Sequence, residues 1–236
     1  MKPVRLLLIV LILILSGANS ASAEPWVDLF VGAAIPGDRD IEDKSSLGVT
    51  FAVRDVEFDR SVSFGGRLGW WTNSLPWLGL AVDAFHFSPD VNRQTRTATI
   101  LGQALTGGVE AIDIGVTVIG LNLMARAPLS VSSEFKNGRV QPYVGAGPAV
   151  FITNVNDKGN FNPSDQDERD TSIGLDAKAG LKIFLNKTVA VFGEYRFTRH
   201  SPEVEFQDVT APASRETLSS TFNVHHVGGG ISFHFE

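Results

Sequence analysis

Apolar and polar residues alternate with a period of two in eight segments of the chain, and these segments are rich in β-branched and aromatic residues. Clusters of Gly, Pro, Asn and Asp separate them. None of the segments carries an apolar stripe with the 3.6-residue period of a helix. The pattern therefore predicts eight β-strands, over residues 26–35, 61–71, 77–87, 112–124, 139–152, 173–185, 188–198 and 222–235.

The alternation gives nearly every predicted strand one apolar face and one face with charges or glycine. In the last segment, Val227, Ile231 and Phe233 share one face, whereas His226 and Ser232 share the other. A water-soluble barrel would bury its apolar face and expose its charges. Because long loops and short turns also alternate along this chain, we expect the reverse arrangement, with apolar residues against lipid and charges inside.

The connections between segments indicate a topology. Stretches of about 20 to 25 residues follow the first, third, fifth and seventh segments, whereas the intervening links, 72–76, 125–138 and 186–187, are shorter. Outer-membrane barrels have long extracellular loops and short periplasmic turns. The sequence thus predicts an all-β fold, a single eight-stranded antiparallel up-and-down transmembrane β-barrel with both chain ends on the periplasmic side.

The fourth segment departs from the regular pattern. Its even-numbered residues over 112–118 are apolar and are expected to face lipid, but Leu121 and Leu123 fall on the opposite face. A β-bulge near Gly120 would restore the alternation and would turn Asn122 inward.

The first residues have the form of a secretory signal. Lys2 and Arg5 precede the apolar run 6–15, and Ala21-Ser22-Ala23 has the small residues of a cleavage site. The apolar run is too short for a membrane-spanning helix, which needs about 20 residues. We expect residues 1–23 to be removed during export through the inner membrane and residues 24–236 to form the barrel in the outer membrane.

Composition excludes several kinds of chemistry. The chain has no cysteine, so disulfides, thiolate metal sites and thiol nucleophiles are excluded. Its formal net charge of −6 argues against nucleic acid as a partner. No phosphate-binding glycine loop or nucleophile elbow occurs. We therefore expect no cofactor.

Charged residues on the predicted inner face are balanced in sign. Buried charges persist only when they are paired, and an eight-stranded barrel is just wide enough for side chains to fill. We therefore predict a structural charge network that plugs the lumen; a narrow channel for small solutes is the alternative. The network comprises Asp28, Asp83, Asp176 and Glu194 with Arg67, Lys178, Lys182 and Arg196.

Aromatic residues collect at the ends of the predicted strands. Phe58, Phe87, Phe151, Phe197 and Phe222 lie near the loop ends. Aromatic belts mark the two boundaries of a bilayer. We interpret the tryptophans as the periplasmic aromatic belt, and these are Trp26, Trp70, Trp71 and Trp77.

Four stretches carry a resemblance to a known family: WVDLFVGAAIP at 26–36, QPYVGAGPAVF at 141–151, EYRFT at 194–198 and GGGISFHF at 228–235. They resemble the outer-membrane β-barrel domain family of Gram-negative bacteria, which includes OmpA-type and opacity-protein-like barrels and is often labelled a porin family. The resemblance implies a cell-surface protein.

Members of that family typically end on an aromatic residue that the barrel-assembly machinery reads. The resemblance therefore implies Phe233 and Phe235 as the assembly signal and that machinery as a partner. Here Glu236 follows Phe235, which places the aromatic residue one position from the end.

One pair of residues suggests catalysis. His200-Ser201, with Glu203 nearby, resembles lipid A deacylases, which carry a His and a Ser near a strand end. The deacylase pattern has one residue between the His and the Ser, and Asn after the Ser. Here the two are adjacent, and adjacent side chains of a strand point to opposite faces. We therefore predict no catalytic residue and a non-enzymatic protein.

Two further features suggest metal or lipid binding. His225 and His226 are adjacent on a strand, so they diverge and we expect no metal site there. The loop 154–170 and the stretch DRDIEDK at 38–44 are rich in carboxylates, but neither has the spacing of a calcium loop. Bridging of divalent cations to lipopolysaccharide is an alternative to a plain acidic surface.

These patterns together predict a structural, surface-exposed scaffold of the outer membrane. Its expected partners are outer-membrane lipid, lipopolysaccharide and an extracellular ligand of the loops. A narrow channel and, with less support, a lipid A-modifying hydrolase that uses His200 and Ser201 are the alternatives.

Overall fold

Eight antiparallel strands of the chain close into one barrel. The computed structural model describes residues 23–37, 39–44, 50–56, 60–89, 94–100, 103–109, 113–156, 168–201, 203–207, 215–219 and 221–235. The predicted signal segment lies outside these residues except for Ala23. The strands of the barrel are β1 (Ala23–Pro36), β4 (Ser61–Thr72), β5 (Leu78–Phe87), β8 (Asp113–Arg126), β9 (Val140–Asn156), β10 (Glu168–Phe184), β11 (Val189–His200) and β14 (Phe222–His234).

Each barrel strand pairs with its neighbours in the chain, in the order β1-β14-β11-β10-β9-β8-β5-β4, and β1 closes the ring by pairing with both β14 and β4. This is the up-and-down topology expected from the loop lengths, so the predicted fold class is confirmed. No helix long and apolar enough to cross a membrane occurs among the described residues.

Six shorter strands lie in the long loops, and the alternation pattern did not predict them. They are too short and too polar for a lipid-facing stripe. Four form a separate sheet in the order β2-β3-β6-β7, and the remaining two form a hairpin. Their bounds are β2 (Arg39–Lys44), β3 (Thr50–Val56), β6 (Gln94–Ile100), β7 (Gln103–Val109), β12 (Glu203–Gln207) and β13 (Arg215–Ser219).

The prediction for the fourth segment is wrong. The register of β8 against β5 runs without a bulge from Ala125 opposite Leu78 to Val116 opposite Phe87. Val116 and Val118 point into the barrel, so they do not face lipid. Asn122 also points inward, as expected, because it has the same parity.

An apolar layer inside the loop end of the barrel explains this difference. There the interior is lined by packed side chains rather than charges, so apolar residues occupy both faces of β8. The even-numbered residues of β8 therefore point inward in both layers, Asn122 in the charged layer and Val116 and Val118 in the apolar one. The layer consists of Ala34, Phe85, Phe87, Val116, Val118, Ala149, Phe151 and Val224.

The outer face of the barrel is an exposed apolar surface. Val62 and Ile173 are 64% and 62% exposed, and Leu29, Leu68 and other aliphatic side chains are similarly open. Side chains of this kind have no reason to face water over a complete ring of strands. The outer face is the surface that a lipid bilayer covers.

The barrel interior as the candidate functional site

Arg67 forms the centre of the interior. On β4 its two cross-strand partners are Asp28 of β1 and Asp83 of β5, so the register alone places one carboxylate on each side of the guanidinium. Arg67 Nη1 donates to Asp28 Oδ2 at 3.1 Å, and Nε donates to Asp83 Oδ1 at 2.8 Å. Glu194 reaches from β11, further round the barrel, and accepts from Nη2 at 2.6 Å. One arginine thus joins three strands across the lumen.

Asp83 is the second junction. Its Oδ2 accepts from Lys178 Nζ at 2.8 Å, and its Oδ1 accepts from Arg196 Nη2 at 2.8 Å. Lys178 and Arg196 are direct cross-strand partners, an arrangement of like charges that is unfavourable without a counterion between them. Asp83 and Asp176 supply that negative charge, and Asn122 Nδ2 donates to both carboxylates.

The remaining predicted cation lies towards the chain termini. Lys182 Nζ donates to Asp28 Oδ1 at 3.1 Å and to Ser232 Oγ at 2.7 Å. Tyr143 donates its hydroxyl to Glu194 at 2.8 Å. The structure therefore brings all eight predicted lumen charges into one buried network. The sequence pattern did not identify Asn122 as a bridge or Tyr143 as a donor.

A second polar cluster closes the end of the barrel that carries the chain termini, and sequence reasoning missed it. Glu24 accepts from Arg126 Nη2 at 2.6 Å and from Asn137 Nδ2 at 2.9 Å, and His234 Nδ1 lies 2.7 Å from its carboxylate. Gln141 accepts from Arg126 Nη1 at 3.3 Å. Arg126 lies four residues after Asn122 on β8, so it shares the inward face of that strand. This spacing in the sequence could have predicted that Arg126 points into the barrel.

The interpretation of the tryptophans is wrong for two of the four. Trp26 and Trp71 lie inside the barrel, where their rings stack with centroids 4.6 Å apart, and Arg126 lies over the Trp71 ring at 4.4 Å. Gly69 and Gly79 lie beside these rings and leave room for them inside the barrel. Trp70 is only half-buried, and Trp77 is exposed.

Two cavities in the described part of the barrel have volumes of about 20 and 10 Å³, each on the order of one water molecule. A larger cup of about 470 Å³ opens at the terminal end, and its floor includes Trp71 and Arg126.

The sequence itself identifies the family. Residues 7–235 match the model of the outer membrane protein beta-barrel domain family. The chain belongs to this family. It is therefore a bacterial outer-membrane barrel, and its localisation and family are as predicted. The terminal end faces the periplasm, and the long loops lie outside.

The chain is similar to solved structures of outer-membrane proteins at low sequence identity. Neisserial surface protein A (NspA) is 16% identical, with a TM-score of 0.54, over 89% of this chain and 97% of that one. OprG of Pseudomonas aeruginosa is 15% identical, with a TM-score of 0.46, over 92% of this chain and 97% of that one. No curated protein sequence matches the chain.

The structure places the residues considered for catalysis at the loop end of the barrel. His200 is buried at the loop end, where its ring stacks on Phe151 with centroids 4.1 Å apart. Ser201 is exposed, and its Oγ donates to Thr221 Oγ1 at 3.1 Å. Only the strand backbone of Glu203 lies within the described part of the chain.

The adjacent histidines diverge across the barrel wall. His226 points inward and meets the Phe87 ring edge-on at 4.9 Å. His225 points outward, and its Nδ1 lies 2.7 Å from the Tyr195 hydroxyl. Within the described ranges, no group of three or more His, Asp or Glu side chains has the geometry to hold a metal ion. The acidic stretches 38–44 and 154–170 lie largely outside the described side chains.

The terminal aromatic residues lie on the outer surface at the periplasmic end. Phe235 is exposed, and its backbone N–H donates to Pro25 O at 2.9 Å, whereas Phe233 pairs with Val27 across β1 and β14. The hydrogen bond to Pro25 thereby attaches the residue that follows the last strand to the first strand of the barrel.

Replacing Glu24 with glutamine will destabilise the periplasmic cluster. Arg126 loses its counterion and stays buried, so the free energy of unfolding should fall by about 1–3 kcal/mol. Urea unfolding of the refolded barrel in phosphatidylcholine vesicles measures this change. Glu134→Gln, an exposed change in the neighbouring turn, is the control and should have no measurable effect. Equal stability of both variants would contradict the prediction.

Proposed function

We propose that this protein is a non-enzymatic, surface-exposed scaffold of the outer membrane whose lumen is closed to solutes. The observation that carries the proposal is the set of bonds from Arg67 to Asp28, Asp83 and Glu194, which crosses the lumen at its middle. An ion or sugar that moved through the barrel would have to separate these pairs.

Two further layers support a closed lumen. Towards the loops, Phe85, Phe87 and Phe151 fill the interior, and an apolar layer of this kind excludes hydrated ions. Towards the periplasm, the Trp26–Trp71 stack and the Glu24–Arg126 pair fill the section of the barrel. Two cavities between these layers are each on the order of one water molecule in volume.

The long loops carry the interaction with the outside in this proposal. Before taking up this role, the chain would be exported, lose residues 1–23 by cleavage, and be inserted into the outer membrane by the barrel-assembly machinery. The six loop strands would extend a β-structured surface beyond the membrane for an extracellular ligand. These strands are β2, β3, β6, β7, β12 and β13.

A conductance experiment tests the proposal. The mature chain is refolded in detergent, shown to be folded by the faster migration of the unboiled band on a gel, and added to planar bilayers. We expect no reproducible current steps. The paired variant Arg67→Ser with Glu194→Ser removes one charge of each sign from the central crossing but leaves the apolar layer and the Trp26–Trp71 stack in place, so it should also give no steps. Reproducible steps from the folded wild type would make the protein a narrow channel.

The enzyme alternative has its own test. Lipid A from cells that overproduce the wild type should have the same acyl composition, by mass spectrometry, as lipid A from cells without it. Loss of an acyl chain in those cells, abolished by Ser201→Ala, would overturn the non-enzymatic assignment.

A further inference from the structure

A ring of outward-facing polar residues surrounds the barrel directly above its apolar band. On the barrel strands other than β1, outward positions change from apolar to polar within one or two residues at the loop end. The ring marks the level at which lipid tails give way to head groups. Its described side chains are Arg60, His86, Ser88, Thr117, Asn154, Arg169, Thr171, Arg199, Asn223 and His225.

The charge of this ring is opposite to that of the chain. Every ionisable side chain among the ring members just named is an arginine or a histidine, although the chain carries a formal net charge of −6. Composition alone would favour carboxylates at these positions. The described ionisable groups at the extracellular head-group level are therefore basic.

Three of the basic residues lie within the group of four successive strands β11, β14, β1 and β4, with Arg199 and Arg60 at its two sides. His225 of β14 is the cross-strand partner of Phe197 on β11 and of Ile35 on β1. Arg199 lies two residues beyond Phe197, opposite Asn223. Arg60 immediately precedes Ser61, which pairs with Ala34. The strands are about 4.8 Å apart, so these residues share one side of the barrel. We call Arg60, Arg199 and His225 the basic patch.

The two arginines of the basic patch are open to a ligand. Both are exposed, and the described part of the chain gives neither of them an ion pair. Below Arg199 on the same strand, Tyr195 is 45% exposed and directs its hydroxyl towards His225. Phe197 packs beside the His225 ring at 5.4 Å. Cations above an aromatic surface at this depth fit a lipid with an anionic head group and apolar chains.

We propose that the basic patch binds the phosphate groups of lipopolysaccharide in the outer leaflet. Arginine forms paired hydrogen bonds with phosphate oxygens, and each exposed cation near an anionic lipid surface strengthens binding. The acyl chains of the same lipid would lie along Phe197 and the aliphatic face below it. This site lies on the outer wall, so it goes beyond the scaffold proposal and does not depend on whether the lumen conducts.

Binding of purified lipopolysaccharide to the refolded mature protein in detergent tests the site. We expect Arg60→Gln with Arg199→Gln to weaken binding by about thirtyfold, since two cations are lost and each accounts for about fivefold. Lys187→Gln, an exposed change in the periplasmic turn between β10 and β11, is the matched control and should stay within twofold of the wild type. Folding of each variant is checked by its unboiled gel band.

Two further measurements, with dephosphorylated lipopolysaccharide and with inorganic phosphate, identify which part of the lipid is bound. Dephosphorylated lipopolysaccharide should bind the wild type as weakly as intact lipopolysaccharide binds the double variant, and millimolar inorganic phosphate should not displace the intact lipid. Unchanged affinity in the double variant, or an equal loss in Lys187→Gln, would overturn the proposal. Displacement by inorganic phosphate would overturn the assignment to a lipid. If the double variant does not fold, Arg199→Gln alone and the dephosphorylated ligand still decide.

Discussion

Arg67→Ala should lower the free energy of unfolding by at least about 3–5 kcal/mol, the usual cost of removing one partner from a buried ion pair. The cost is high because Asp28, Asp83 and Glu194 would all keep their charge inside the barrel without the guanidinium that they share. Urea unfolding in phosphatidylcholine vesicles, followed by tryptophan fluorescence and by the unboiled gel band, measures the change.

Two further variants separate charge from geometry. Arg67→Lys keeps the charge but loses the fork of donors that reaches three carboxylates, so its stability should fall between those of the wild type and Arg67→Ala. Lys136→Ala removes an exposed cation in a periplasmic turn and should change stability by less than about 0.5 kcal/mol. A stability of Arg67→Ala equal to that of Lys136→Ala would show that the network does not hold the barrel together.

Gly228→Val should prevent the barrel from closing. Gly228 of β14 faces Gly32 of β1, and a β-carbon at Gly228 would lie 2.5 Å from Val31 O and 2.7 Å from Gly32 Cα. Both obstacles are backbone atoms, which cannot rotate aside. Because β1 and β14 form the last seam of the ring, we expect no folded band on an unboiled gel after refolding.

Gly193→Val is the matched control for the seam. Gly193 lies on β11, directly beside β14, but its side faces lipid, and the nearest atom to an added β-carbon is Gly228 O at 4.0 Å. This variant should refold with the yield of the wild type. A folded band of normal intensity from Gly228→Val would mean that the two strands can separate enough to admit a side chain.

The alternation of residues predicts the parts of this structure that depend on local parity. Asp28, Arg67 and Asp83 could be placed inside because their neighbours at odd intervals are aliphatic, and the lipid surface requires that pattern on the other face. Once the strands are in register, these three residues must meet. The alternation also places Trp26 inside, two residues before Asp28. The belt interpretation considered its position along the strand and overlooked its orientation.

Other features depend on distances across the lumen, which a linear pattern does not contain. Nothing in the alternation indicates that Glu194 reaches Arg67 or that Glu24 meets Arg126, since these contacts are set by strand tilt and barrel diameter. Val116 and Val118 misled the prediction because a packed apolar layer and a lipid-facing surface select the same residues. The short loop strands escaped it because they face neither lipid nor a charged lumen.

The hydrogen bonds between the loop strands have a consequence for antibody recognition. Ala52 and Val53 of β3, in the first loop, pair with Thr99 and Ala98 of β6, in the second. Two stretches far apart in the chain therefore belong to one continuous sheet. An antibody raised against either loop as a linear peptide should bind the native cell surface poorly, and a tag inserted into one loop should alter the epitope of the other.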